Sequence, residues 1–147
     1  GDIDEANSSL GICISFSSSK IKRVLLKVQN DLFDIGADLC FPEKSKKYVT
    51  ISSKKISFLE LEIDKINKNL KKLNSFVLPS GSKSAAFIHM SRSLVRRAER
   101  SIVELDQKEK VNPDILKYVN RLSDFLFVAA RFENKKVGDI LWIPNKN

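Results

Sequence analysis

Glycine and proline are scarce in this 147-residue chain, at five and four. That scarcity disfavours a fold of many short strands joined by tight turns and favours long, uninterrupted elements. Cysteine is limited to Cys13 and Cys40. With no CxxC pair and no Cys/His cluster, a structural zinc site and a disulfide framework both lack their ligands. Both cysteines fall in apolar helical stretches, so the expectation is two buried free thiols in a reducing compartment. No apolar run approaches the roughly 18 residues of a membrane span. The start of the sequence lacks the charged-then-apolar order of a signal peptide. These points predict a cytoplasmic protein with no membrane association. There is no G-x-x-x-x-G-K-[ST], which excludes a P-loop, and no G-x-S-x-G, which leaves a serine nucleophile without support.

Charge, by contrast, is abundant and unbalanced. Twenty-six Lys and Arg against 18 Asp and Glu give a formal net charge of +8. Such an excess attracts anions, or it serves solubility alone. The length suits a single domain over residues 1–147 with one sizeable core.

Five amphipathic segments can be read from spacing. Ile3, Ala6, Leu10 and Cys13 stand three and four apart in the first. Ser17 to Lys20 break that pattern, with Ser19 as the expected N-cap of the next helix. The second carries Ile21, Leu25, Val28, Leu32, Ile35 and Leu39, and should stop near Phe41-Pro42 because proline cannot continue a helix. Residues 43–55, rich in Lys and Ser, are expected to form an exposed connection whose lysines are solvated. Ser57 and Glu60 make an S-x-x-E capping box for a third helix with a seam of Leu59, Ile63, Ile66, Leu70 and Leu73. The fourth should run from about Ser82 to Leu105, with Ile88, Ser91, Val95, Ala98 and Ile102 on one stripe. Asn112-Pro113, an N-cap followed by proline at the first helical position, opens the fifth. Ile115, Val119, Leu122, Leu126 and Ala129 line its apolar face, and Gly138 is the expected stop. The apolar tail Ile140 to Pro144 must pack on something. Five helices with narrow seams and short links predict an all-α, antiparallel up-down bundle.

Chemistry concentrates in the stretch 76–100. Arg92, Arg96 and Arg100 recur every four residues and so form one column on the fourth helix, with Arg97 beside it. Glu99, three residues after Arg96, can hold an arginine in place. Guanidinium forks match phosphate oxygens two at a time, which makes phosphate binding one reading of the column and a solvated stripe the other. Asn120 and Asp124, with Arg121 and Ser123, place polar groups on an otherwise apolar fifth helix. Buried there, they need a partner or a ligand. Asp2, Asp4 and Glu5 either complement the first helix dipole or pair with the arginines. His89, the one histidine, is read as structural.

The stretch FVLPSGSKSAAFIHMSRSLVRRAER resembles the signature of the PduO-type ATP:cob(I)alamin adenosyltransferases, roughly F-x-L-P-G-G-x-x-A-A-x-x-H-x-A-R-x-x-x-R-R-A-E-R. YVNRLSDFLFVAARFEN at 118–134 is similar to that family's Y-x-N-R-L-S-D-x-L-F-x-x-A-R block, and GDIDEANS at the start to its G-T-I-D-E-L-N-S helix. Asn134, Gly138 and Trp142 fit its tail. The resemblance implies a five-helix bundle assembled as a homotrimer, with ATP across the subunit interface and magnesium accompanying the nucleotide. Monovalent cobalt, supplied with electrons by a partner reductase, attacks the ribose 5′-carbon and expels tripolyphosphate, giving adenosylcobalamin. By position, Arg92 would pair with Asp4 of a neighbouring subunit. Arg96 would contact the phosphates and Asn120 the nucleotide, while Glu99 and Arg97 orient the group. Phe76 would pack under the corrin ring and displace the lower axial ligand. Such proteins usually carry a Gly/Thr-rich segment resembling T-G-D-x-G-x-T ahead of the first helix, and it does not occur in this numbering. Ser80 stands where P-G-G is common. Two rivals follow: a non-catalytic corrinoid carrier or chaperone with the same fold, and a basic helical nucleic-acid binder, which would show an open basic face.

Overall fold

The computed structural model describes residues 1–40 and 51–146. Five α-helices follow one another: α1 (Asp2–Phe16), α2 (Ser19–Cys40), α3 (Ser53–Asn67), α4 (Lys83–Asp106) and α5 (Pro113–Glu133). Among the described residues the one strand-like feature is an isolated antiparallel bridge between Val77 and Leu141. The bundle packs α1 against α2 and α4, and α5 against α3 and α4. Polar ties between elements give the directions. Asn7 meets Gln29 across α1 and α2, and Cys13 meets Ser91 across α1 and α4. Asn120 meets Glu99 across α5 and α4. With Ser17 on Ser84 and Asp2 on Ser101, α1 runs antiparallel to α4, and with Ser82 on the Glu133 carbonyl beside Asn120 on Glu99, so does α5.

The five apolar stripes read from spacing form one core. Leu10, Cys13, Leu25, Val28, Ile35, Leu59, Ile88, Ile115, Leu122 and Leu126 are all fully enclosed. Burial of this kind contributes about 1.5–3 kcal/mol per large side chain. Side-chain pairs tie α1 and its C-cap to α4, Cys13 Sγ with Ser91 Oγ at 3.2 Å in the core and Ser17 Oγ with Ser84 Oγ at 3.0 Å at its edge. Burial raises the pKa of the Cys13 thiol, outweighing the Ser91 contact.

The helix ends depart from the expected ones, each for a local reason. α2 begins at Ser19, and its first backbone bond runs from the Lys22 N–H to the Ser18 carbonyl, so Ser18 holds the cap position. The Ser18 hydroxyl is spent on Glu133 at 2.6 Å. Cys40 is exposed rather than buried, because the enclosed stripe of α2 ends at Ile35. The expected stop at Phe41-Pro42, and the part of the connection up to Thr50, lie outside the described residues.

α3 starts four residues before the Ser57 capping box, with Ser52 as its N-cap. Two contacts draw these residues into the helix. Ile51 is buried, and Lys55 Nζ sits 2.7 Å from Asp31 Oδ1 and 2.6 Å from Asp34 Oδ2. The tertiary pair outweighs the local cap signal, so Lys55 is no solvated loop residue. Burial alone would lower its pKa, but the two carboxylates raise it on balance. Asp31 also accepts from the buried Tyr118 hydroxyl at 2.7 Å, joining α2, α3 and α5. The seam of α3 stops before Leu73, which is exposed, because the chain leaves the helix at Lys68.

α4 and α5 open as read. The Ser82 hydroxyl accepts from the Ala85 N–H at 3.2 Å, and Asn112 Oδ1 from the Asp114 N–H at 3.0 Å. α5 closes at Glu133, well before Gly138. Asn134, completely buried, turns its side chain to Ser80 and Ser82. Gly138 then adopts a φ of 81°, a region that favours glycine, and returns its N–H to the Asn134 carbonyl.

Candidate functional site

The arginine column lies along α4 where that helix faces α5 and α1, and its members have different partners. Arg96 pairs with Glu99 one turn on. The other Glu99 oxygen accepts from Asn120 Nδ2 at 2.8 Å. One carboxylate thus joins α4 to α5 and fixes two of the expected nucleotide ligands together. Glu99 is well covered, at 14% exposure, while Arg96 keeps 44% of its side chain open. A guanidinium held from one side and open on the other is placed to receive an anion. Arg100 Nη1 donates to the Arg96 carbonyl at 3.2 Å.

Arg92, one turn before Arg96, lies 5.6 Å from the Phe127 ring centroid, a cation–π contact that holds its planar head against α5. Arg97 points the other way, to α1, where it pairs with Glu5 and lies 4.0 Å from Asp2. The acidic first turn of α1 thus engages one flank of the column, as one reading of the sequence allowed. Asp2 also accepts from the Ser101 hydroxyl. Asp4 is exposed and makes no ion pair among the described residues. Within one protomer, then, Arg96, Glu99 and Asn120 form one cluster, Arg92 and Phe127 adjoin it, and Arg97 and Asp4 do not join it. Carboxylates thus partner Arg96 and Arg97, and a ring partners Arg92.

The polar column of α5 is not buried as expected. Asn120 and Asp124 are exposed, and only Ser123 is enclosed, its hydroxyl donating to the Asn120 carbonyl. Arg121 spans Asp124 at 2.7 Å and Glu60 of α3 at 3.3 Å. Arg121 alone of these ties α5 to α3, while Asn120 meets Glu99 of α4.

His89 sits one turn before the column, nearly fully buried, edge-on to Phe127 at 6.3 Å. Its Nε2 finds no hydrogen-bond partner among the described residues. Burial lowers its pKa, the Arg92 charge adds to that, and Asp139 opposes it without reversing it. The folded protein therefore keeps His89 neutral, whereas the unfolded chain takes up a proton near 6.5. Stability should be lost as pH falls from 6.5 toward the lower folded value. Melting temperatures measured from pH 7 to pH 5 should drop, and His89→Gln should flatten that drop whatever its effect at pH 7. An unchanged slope would remove the histidine from the account.

Phe76 stands apart from the arginines, on the segment between α3 and α4, with 77% of its surface exposed. Its neighbour is Trp142, edge-on with ring centroids 5.9 Å apart. The tail is tied here by its backbone, the Trp142 N–H donating to the Phe76 carbonyl and the Leu78 N–H to the Ile140 carbonyl, both at 2.8 Å, while Ile140, Trp142 and Ile143 stay exposed rather than packing as expected. Spacing alone does not disclose what anchors the tail. Arg131, buried in α5, donates to Asp139 at 2.8 Å and to the Lys71 carbonyl at 2.7 Å. A charged residue directly after the buried Ala129 and Ala130 was the available signal.

A family model for cobalamin adenosyltransferase matches residues 1–133. The chain belongs to the cobalamin adenosyltransferase family. A corrinoid adenosyltransferase of Bacillus subtilis is 39% identical over 95% of this chain and 76% of its own length. One of Mycobacterium bovis is 42% identical over 97% of this chain and 77% of its own length. Among solved structures, a PduO-type ATP:corrinoid adenosyltransferase variant of Lactobacillus reuteri, complexed with cobalamin and ATP, superposes with a TM-score of 0.89 at 34% identity. The match covers 97% of this chain and 82% of that one. No helix among the described residues is long and apolar enough to cross a membrane.

Proposed function

We propose that this adenosyltransferase moves the 5′-deoxyadenosyl group of ATP onto the cobalt of cob(I)alamin, releasing adenosylcobalamin and tripolyphosphate. The observation that carries the reading is the cluster in which Glu99 holds Arg96 and Asn120 together while leaving the guanidinium open. The protein brings no nucleophile of its own; the reduced corrinoid does, as substrate. The cobalt–carbon bond forms as the bond from C5′ to the phosphate oxygen breaks, and the electron pair leaves on tripolyphosphate. The chain's part is to align the two substrates and to offset charge growing on the leaving group. Arg96 and Arg92 face the phosphates, Asn120 the nucleoside, and Glu99 orients them. Arg97, tied to α1, fixes α4 from its other side.

The L. reuteri enzyme has been solved as phenylalanine variants with cobalamin and ATP and as an arginine-to-lysine variant with ATP. The varied phenylalanine and arginine stand 20 residues apart there, as Phe76 and Arg96 do here. That parallel supports giving Phe76 to the corrin face and Arg96 to the phosphates.

The active assembly in this reading is a homotrimer in which Asp4 of one subunit meets Arg92 of the next. Asp4 makes no ion pair in its own chain among the described residues, and Ile12, Phe16 and Met90 leave apolar surface on α1 and α4 for such a contact. Among the described residues no group of three or more His, Cys, Asp and Glu is placed to hold a metal. Magnesium in this reading accompanies ATP as its counter-ion. A reductase supplies the electron in the cytoplasm, where free thiols such as Cys13 and Cys40 persist.

The test is an absorbance assay with ATP and chemically reduced cobalamin, using the full-length protein. The expected result is the spectrum of adenosylcobalamin, with tripolyphosphate released in equal amount. Corrinoid bound tightly but never adenosylated would overturn the enzyme in favour of the carrier.

A further inference from the structure

Phe76 is exposed on nearly every side, so something else must set its pose. Among the described residues the aromatic side chain against its ring is Trp142, at 5.9 Å and an interplanar angle of 62°. The backbone beneath is fixed from the same direction. Trp142 N–H binds the Phe76 carbonyl, Ser75 Oγ donates to the Trp142 carbonyl at 2.6 Å, and Leu78 N–H reaches Ile140. The tail segment is anchored in turn, one residue before Ile140, by the buried pair of Arg131 with Asp139. Arg131 also grips the Lys71 carbonyl, at the start of the segment that carries Phe76. At that segment's far end, Asn134 holds the Ser80 carbonyl and the Ser82 N–H. Its side chain would lie 2.1 Å from a Cβ at Gly81, where φ is 113°, so only glycine fits.

We propose that Trp142 is a positioning residue for the corrinoid. Carried on a tail locked by Arg131 and Asp139, it holds the Phe76 ring upright against the lower corrin face. The inference rests on the functional reading above and adds to it the residue through which Phe76 acts. An exposed phenylalanine samples several rotamers, and only those projecting from the surface can compete with a lower axial ligand. The indole edge removes the alternatives that fold back toward the tail. Trp142 touches no reacting atom. Its effect is on the fraction of divalent cobalt that becomes four-coordinate.

The experiment compares wild type, Trp142→Ala, Trp142→Phe and Phe76→Ala, each with ATP and divalent cobalamin. The readout is the spectroscopic signature of four-coordinate cobalt. Trp142→Ala should lower that fraction by about two- to ten-fold, the scale of one aromatic edge contact. Adenosylation of pre-reduced cobalamin should stay near wild type. Trp142→Phe, which keeps an aromatic edge, should restore most of the signal. Trp142 is 46% exposed, so melting temperatures should change little. If the alanine variant nonetheless unfolds, Trp142→Leu carries the same comparison with an apolar contact but no aromatic edge. A wild-type signature in Trp142→Ala, beside a lost one in Phe76→Ala, overturns the inference and leaves the functional reading standing. A wild type unable to adenosylate reduced cobalamin overturns both.

Discussion

Arg96→Ala should lower kcat for adenosylation by about 10²- to 10³-fold, the loss typical of removing one preorganised group aimed at developing charge. In SN2 displacement at C5′, negative charge builds on the tripolyphosphate only as the carbon–oxygen bond breaks. A guanidinium already aimed at that position needs no reorganisation when the charge appears. Glu99 supplies the aim by pinning Arg96 within one helical turn, while Asn120 holds Glu99 from α5. The fold should survive the change. Arg96 is part-exposed and its partner is local, so an ion pair of that kind contributes at most about 1 kcal/mol. Melting temperature and subunit association, measured beside kcat, should therefore stay near wild type. Arg96→Lys should fall between, because it keeps the charge and loses the two-pronged fork. Unchanged turnover in Arg96→Ala would take the phosphate role from this residue.

The same cluster shows what a sequence can and cannot disclose. Arg92, Arg96 and Arg100 were legible because a four-residue repeat on a helix has one geometric meaning. Glu99 was legible as their holder because it stands one turn from Arg96. The apolar stripes were legible for the same reason, and all five define the core. Helix ends were less so, since they depend on partners distant in sequence. Ser57 offered a sound local cap, but Lys55 is claimed by Asp31 and Asp34 of α2, and that pairing moves the start of α3 to Ser53. Gly138 offered a sound local stop, but Asn134 leaves the helix earlier to bind Ser80 and Ser82. Arg97 is expected with Glu99 in the nucleotide group, but spacing only places it beside the column; the carboxylates of α1 draw it to the other side. Asn120 and Asp124 differ for a related reason. Both stand on one face of α5, yet one meets Glu99 across α4 and the other meets Arg121 of its own helix.

Phe76→Ala should separate the two oxidation states of the corrinoid substrate. Cobalt in the divalent state keeps a lower axial ligand that must leave before reduction becomes accessible; in the proposed function the Phe76 ring, packed against that face, displaces it without ligating the metal. Monovalent cobalt has no such ligand to lose. Alanine cannot fill the space, and the burial forfeited is worth about 1.5–3 kcal/mol, or about ten- to a hundred-fold in rate. That loss should fall on adenosylation starting from divalent cobalamin with a reductant, and far less on the assay with pre-reduced cobalamin. The free protein should melt almost as wild type, because a side chain 77% exposed gives little to the core. Equal losses from both starting states would mean that Phe76 only helps bind the corrin. A loss confined to the divalent state places the ring in competition with the axial ligand.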